Sequence, residues 1–272
     1  MKLKSITSRD NPRYRQLARL ADSSQARKRE GLSLLDGVHL VSAYLEQVGT
    51  PDTLAVSDSG LAHAEIDALL RDYEGEVLRL PDNLFHSISQ VEHGTGILAA
   101  AATPRPELPP FIEGDCLLIE NLQDPGNLGS LLRSAAAAGI GSVLLSSGSV
   151  YAWSPKVLRS GQGAHFRLCI HEGLDLAEIL PRVRAPLVAT SSYADRPLYD
   201  ADLRGPVAWL LGNEGAGVSE AMLAVAALRV SIPMAAGTES LNVAAAGAIC
   251  MFEASRQRGN PRGTGHAKKR GE

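Results

Sequence analysis

The sequence predicts a two-part α/β protein whose second part carries a parallel sheet, and three observations lead there. Short apolar runs alternate with helix-length stretches along almost the whole chain, the pattern of layered α/β folds. One segment, Thr103-Pro104-Arg105-Pro106-Glu107-Leu108-Pro109-Pro110, breaks that alternation; its four prolines exclude a helix interior or a central strand. Hydrophobic residues make up 44% of the 272 residues but aromatics only 4%, which suits small-residue helix packing better than a β-sandwich.

The proline segment divides the chain into a part over 1–102, a semi-rigid linker over 103–110, a larger part over 111–258 and a basic tail over 259–272. The first part opens with a basic helix. Residues 1–30 hold nine Lys or Arg against three acidic residues, a net +6 on a chain whose overall charge is −3. Arg9, Arg13, Arg15, Arg27, Lys28 and Arg29 are the candidate phosphate contacts, and such contacts set affinity rather than sequence preference. Strands are then expected at Leu32–Asp36, Thr53–Ser57, Val77–Leu80 and Ile97–Ala101. Helices are expected at Val38–Gln47, Leu61–Asp72 and Asp82–Ser87, completing a small α/β sandwich.

After the linker the strands read as unbroken apolar runs, which fits burial on both faces of a parallel sheet. They are Cys116–Glu120, Ser142–Ser146, Leu168–His171, Leu187–Ser191, Val207–Leu211 and Arg229–Ile232. The helices are Leu128–Ala138 with Asn127 as its cap and Gly139 as its stop, Pro155–Ser160, Leu174–Val183, one capped by Ser219 and running to Ala226, and Leu241–Gln257. The tail is Gly-, Lys- and Arg-rich and is expected to be disordered.

Several function classes find no support. Cys116, Cys169 and Cys250 are far apart in apolar surroundings, form no CxxC pair and read as buried free thiols, and the histidines have no ligand spacing, so no metal is expected. No apolar segment follows Met1 as in a signal peptide, and Val243–Phe252 is too short to span a bilayer, so a cytoplasmic protein with no membrane contact is expected. A dinucleotide-binding dehydrogenase would need GxGxxG after the first strand and an acidic residue ending the second. Asp124–Arg133 lacks that glycine pattern and Ser146-Ser147-Gly148 lacks the acid.

Three segments stand at the carboxyl ends of expected strands, where open α/β sheets bind ligands. The first, Glu120–Arg133, contains Asn127, Gly129 and Arg133 in a strand–turn–helix unit. The second, Leu210–Ser219, places Gly212, Gly215 and Gly217 around Glu214, and its glycines let backbone approach a ligand. The third, Ile232–Ala248, joins Ile232-Pro233-Met234 to Ser240-Leu241-Asn242-Val243 and a helix built almost entirely of Ala and Gly. A buried Asn242 amide would need partners there or cost about 1–3 kcal/mol.

In this order the three segments resemble the SpoU (TrmH-like) family of SPOUT RNA methyltransferases. The matches are Asn-x-Gly-x-x-x-Arg at Asn127, Gly129 and Arg133, Gly-x-Glu-Gly-x-Gly from Gly212 to Gly217, and Ile-Pro-Met with Ser-Leu-Asn-Val from Ile232 to Val243. Ala244 departs from the Ser that many relatives carry. The resemblance implies a deep trefoil knot, a homodimer packed through helices beside it, and S-adenosylmethionine as cofactor. It assigns cofactor contacts to Leu211, Gly212, Ile232, Met234 and Leu241, with Thr190 lining the same pocket. Arg133 would carry the substrate chemistry, Asn127 and Glu214 would orient its loop, and Asn242 would position the ribose or that loop, with Ser240 a further polar candidate. Leu35–Val41 and His93–Ala99 resemble the ribosomal-protein-like substrate-binding domain of such enzymes.

The implied reaction is methyl transfer to a ribose 2′-hydroxyl of structured RNA, ribosomal RNA before transfer RNA. The rival readings are a SPOUT enzyme that methylates a base, and a non-catalytic RNA-binding or ribosome-assembly protein.

Overall fold

The computed structural model describes residues 2–91, 94–238 and 240–259; His93 and the tail from residue 260 lie outside them. The first part comprises β1 (Lys2–Ser5), α1 (Pro12–Asp22), α2 (Ser24–Glu30), β2 (Leu32–Asp36), α3 (Val38–Gln47), β3 (Thr53–Ser57), α4 (Ala64–Arg71), β4 (Glu76–Leu80), α5 (Asp82–His86) and β5 (Ile97–Ala102). Its strands form one sheet in the order β1-β4-β3-β5-β2, with β5 antiparallel to both neighbours. Alternate strand residues face opposite layers. Leu34, Ala55, Leu78 and Leu98 meet Tyr14, Leu17 and Leu20 of α1, whereas Leu35, Leu54, Val56 and Ile97 meet α3 and α4.

The expected single basic helix is instead a strand and two helices. Ser23 ends α1 in extended backbone and caps α2 by accepting from the Ala26 N–H. All four residues of β1 are exposed, and it pairs only with β4 at the sheet edge, so no apolar run marks it. The break at Ser23 also corrects the reading of Arg27 as a phosphate contact. Its side chain is 6% exposed, and its guanidinium donates to the carbonyls of Leu20 and Ala21 at the end of α1. The carbonyls left over at a helix end take the charge. The expected helix Leu61–Asp72 is likewise split, into a 3₁₀ turn Gly60–Ala62 and α4, because His63 is extended.

The second part comprises β6 (Cys116–Ile119), α6 (Pro125–Ala138), β7 (Ser142–Ser146), α7 (Pro155–Gly161), β8 (Cys169–Leu174), α8 (Leu176–Ile179), β9 (Leu187–Thr190), β10 (Ala208–Leu211), α9 (Glu220–Val225), β11 (Leu228–Val230) and α10 (Val243–Gln257). The six strands form an all-parallel sheet in the order β11-β9-β10-β6-β7-β8. Chain order reverses at β6, and the three signature segments follow the carboxyl ends of β6, β10 and β11. The helix expected over Leu174–Val183 shrinks to α8 and a 3₁₀ turn, Leu180–Arg182, because Pro181 cannot donate to the helix ladder. Cys116 and Cys250 are buried, and desolvation pushes both thiols up to about 12. Cys169 is exposed, against expectation, because it opens the edge strand β8. Among the described residues no helix is long and apolar enough to cross a membrane.

The two parts share a continuous apolar core that runs from α3 and β2 into α6 and α7. Tyr44 meets Phe166 edge to face at 5.3 Å, and Arg159 donates to the Gln90 carbonyl at 2.9 Å. The linker is pinned rather than free: Thr103 and Ser33 share a hydroxyl hydrogen bond of 2.8 Å. Beneath this junction His165 is buried against Trp153, with Nε2 2.9 Å from the Ala152 carbonyl. Burial lowers its pKa from the ordinary 6.5 to about 4. Between those values the unfolded chain binds the extra proton, so stability is expected to fall as pH drops from about 6.5 toward 4. Thermal unfolding across that range checks this; His165→Gln is expected to flatten the slope, and an unchanged slope would count against it.

Candidate active site

Asp124, not Asn127, caps α6: its carboxylate accepts from the Asn127 N–H at 2.8 Å and Pro125 sets the first turn. That places Asn127 one residue triplet inside the helix with its amide free to reach outward. The amide nitrogen donates to Glu214 Oε1 at 3.2 Å, and its oxygen accepts from Asn242 Nδ2 at 2.8 Å. One side chain thus links all three signature segments.

Glu214 does more than hold Asn127. Its two oxygens accept from the backbone N–H groups of Asp124 at 2.8 Å and Gln123 at 3.2 Å, fixing the turn that launches α6. Desolvation pushes this carboxyl up, but the N–H donors of Asp124 and Gln123 and the Asn127 amide outweigh it and hold it below the usual carboxylate range. Glu214 is therefore a fixed anion at neutral pH, suited to orienting donors. Asn242 caps α10, accepting from the Ala244 and Ala245 N–H groups at 3.0 and 3.3 Å. It is exposed in the single chain rather than buried, so its partners come from its own helix and from Asn127.

The second signature closes on itself. Asn213 and Gly217 exchange backbone hydrogen bonds of 2.9 Å, and Asn213 Oδ1 accepts from the Gly215 and Ala216 N–H groups. A Cβ at Gly212 would lie 2.1 Å from the Gly217 carbonyl carbon and oxygen, so only glycine fits. Beside this loop opens a cavity of about 480 Å³ lined by Thr190, Gly212, Glu214, Ile232, Met234, Ser240 and Leu241. Its size falls in the small-molecule range. Apolar walls at Ile232, Met234 and Leu241, bare backbone at Gly212 and Gly217 and a few polar groups suit an adenosine-bearing cofactor such as S-adenosylmethionine.

Leu211 does not line the cavity. Its side chain is buried beneath Gly247 of α10, and its carbonyl accepts from the Glu120 N–H at 2.9 Å, because β10 runs through the centre of the sheet. Arg133 lies outside the network too. It is exposed on α6, and its side chain makes no hydrogen bond or ion pair with another described residue. Six residues along a helix separate it from Asn127 by about 9 Å and turn it to another face. Of the expected phosphate contacts, Arg13 is paired with Glu76 and Arg15 with Asp10, while Arg9, Lys28 and Arg29 remain exposed.

Three residues of the site escaped the sequence reading. Glu120 receives the Ser219 N–H at 2.8 Å and its hydroxyl at 2.7 Å, tying the glycine loop to the end of β6. Asn121 sits in left-handed backbone at φ 54°, a conformation that a strand ending in Glu-Asn gives some reason to expect. Tyr193, 94% exposed at the cavity rim, carries no pattern in the sequence.

Comparison with known proteins gives two family matches: the SpoU rRNA methylase family over residues 116–252 and the MRM3-like substrate binding domain over residues 11–99. An uncharacterized tRNA/rRNA methyltransferase of Synechocystis sp. is 34% identical, aligned over 93% of this chain and 94% of its own. The 23S rRNA guanosine 2′-O-methyltransferase RlmP of Bacillus subtilis is 30% identical over 92% of this chain and 98% of its own. The crystal structure of the SpoU methyltransferase AviRb from Streptomyces viridochromogenes with AdoMet superposes with a TM-score of 0.82 at 28% identity, covering 93% of this chain and all 100% of that one.

Proposed function

The chain belongs to the SpoU rRNA methylase family, and from that premise we propose that it methylates a ribose 2′-hydroxyl of structured RNA using S-adenosylmethionine. Ribosomal RNA is the substrate class, supported by the MRM3-like domain over residues 11–99 and by relatives such as RlmP that are named for that reaction. The observation that carries the reading is the hydrogen-bonded line Glu214–Asn127–Asn242 at the edge of an adenosine-sized cavity.

Bound S-adenosylmethionine supplies a methyl group on a sulfonium, a strong electrophile. Gly212, Ile232, Met234, Leu241 and Thr190, which line the cavity, would hold its adenosine end. The ribose hydroxyl is a weak nucleophile, so the protein's task is to align it and ease loss of its proton. Arg133 holds the adjacent phosphate and stabilises the developing oxyanion; its guanidinium is too basic to be the proton acceptor. Asn127 and Asn242 set the position of the first-signature turn, and the ionised Glu214 holds that turn and the Asn127 amide.

The enzyme works as a homodimer in the cytoplasm, with the knot of its family formed around α10. Gly247 supports the close threading: a Cβ there would lie 2.4 Å from Leu131 and 2.7 Å from Leu211. Ala245, Ile249 and Phe252 lie at helical spacing on the outer face of α10, and Phe252 is 47% exposed. Pairing through this face and α6 brings Arg133 of one copy to the cavity of the other, which answers its distance from Asn127 within one chain. Phe252→Asp is expected to halve the mass seen by light scattering at micromolar concentration and to remove turnover. A dimeric, active variant would place the interface elsewhere.

The test of function is transfer of labelled methyl from S-adenosylmethionine to ribosomal RNA and to ribosomal subunits lacking the modification. The expected product is a 2′-O-methylated nucleoside. A methylated base would assign base chemistry, and no product on any RNA would leave an RNA-binding protein.

A further inference from the structure

A second cavity, about 540 Å³, is lined by none of the signature residues and lies at the junction of the two parts over the ends of β7 and β8. It is lined by linker residues 103–106 together with residues 145–147, 149–151 and 170–174. Lys28 stands 4.7 Å from the centroid of the Tyr151 ring, and its carbonyl accepts from Arg105 Nη2 at 3.0 Å, so two cations are fixed at the same opening. Glu172 lines the same cavity and accepts from the Ala152 N–H at 2.6 Å. Neither cation forms an ion pair with it within 4.0 Å among the described residues. Desolvation raises the Glu172 carboxyl above its ordinary range, against the Ala152 N–H and the nearby charges of Lys28 and Arg105, which pull it down. Charges of both signs thus line the same open cavity.

A ligand that satisfies all of these groups carries an anion, a flat ring and two adjacent N–H donors. Those are the phosphate, base and Watson–Crick edge of a guanine nucleotide; the other bases offer a carboxylate only one donor position on that edge. Unstacked bases held by aromatic rings and read along that edge are the usual mode of single-stranded RNA recognition. We propose that this cavity holds an unpaired guanosine of the RNA substrate, with Lys28 and Arg105 on its phosphate, Tyr151 beside its base and Glu172 on its N1 and N2 donors. The site would read substrate identity beside the methylated nucleotide. Its wall is joined to the first signature by the Asn121 N–H to Ser146 Oγ bond of 2.8 Å and by the bond from Gln123 Nε2 to the Gly148 carbonyl. Adjacent strands are about 4.8 Å apart, so the cavity over β7 and β8 stands about 5–10 Å from the end of β6.

The proposal rests on the reading of the chain as an RNA-acting methyltransferase, and its test is kept separate from catalysis. The chain has two tryptophans, Trp153 lining this cavity and Trp209 buried in β10. GMP, AMP, CMP and UMP are titrated into the full chain while the two ¹⁵N-labelled indole resonances are followed, and S-adenosylmethionine binding is measured by calorimetry. GMP is expected to move the Trp153 resonance alone and to bind about tenfold more tightly than the other three. Glu172→Gln is expected to weaken GMP about tenfold with S-adenosylmethionine affinity unchanged. The exposed Lys28→Ala should weaken GMP but not guanosine, and serves if the buried variant fails to fold. An unmoved Trp153 resonance at about 10 mM GMP, or four nucleotides binding alike and indifferent to Glu172→Gln, would overturn the proposal. Loss of S-adenosylmethionine binding by the unaltered chain would instead count against the methyltransferase reading.

Discussion

Arg133→Ala is expected to lower kcat by about 10²–10³-fold while leaving S-adenosylmethionine affinity within a few-fold, because the side chain meets substrate and not cofactor. The exposure of Arg133 makes the second half of that expectation safe: no hydrogen bond or ion pair among the described residues is lost with it. Stopped turnover assays and calorimetry check the two halves, and equal loss of both would remove the role assigned to it. The dimer reading adds a sharper test. Arg133→Ala protomers keep an intact cavity, and Gly212→Ala protomers keep an intact arginine. If each site is built from both copies, mixed dimers regain one working site in two, and co-expression restores about a quarter of the unaltered rate. If each chain completes its own site, nothing is restored.

Gly212→Ala is the second large effect. The added carbon would sit 2.1 Å from the Gly217 carbonyl and 2.2 Å from the Val218 nitrogen, both backbone atoms of the closed loop. A flexible side chain could swing aside, but this loop is fixed by the paired Asn213–Gly217 bonds of 2.9 Å, so the backbone itself must shift. Overpacking of that kind costs about 1–3 kcal/mol. Here the displaced groups are the cavity wall, so S-adenosylmethionine affinity is expected to fall at least about tenfold, with a lower unfolding temperature. Calorimetry that finds affinity unchanged would show that the cofactor does not depend on this loop.

Local pattern was enough to read most of the scaffold. The strands at 32–36, 53–57 and 142–146 and the helix at 38–47 coincide with the observed elements, since burial on both faces forces unbroken apolar runs. The three signature segments were legible because glycine spacing and a proline-bounded turn are local necessities. What failed was also physical. The exposed edge strand β1 buries none of its side chains and leaves no pattern. Asn127 looked like a cap because Asn favours that position, but Pro125 moved the cap three residues back to Asp124. Arg27 was indistinguishable from its basic neighbours until α1 ended five residues before it, at Asp22, and offered the carbonyls of Leu20 and Ala21. The sequence alone thus determined the layered α/β class, the strand ends that carry the chemistry and the residues that must be small. Only the tertiary structure decided which polar groups meet: Glu214 with Asn127, Asn127 with Asn242, Lys28 with Tyr151. Those pairs join residues far apart in the chain, and their distances follow from strand order and helix phase, quantities that no local pattern encodes.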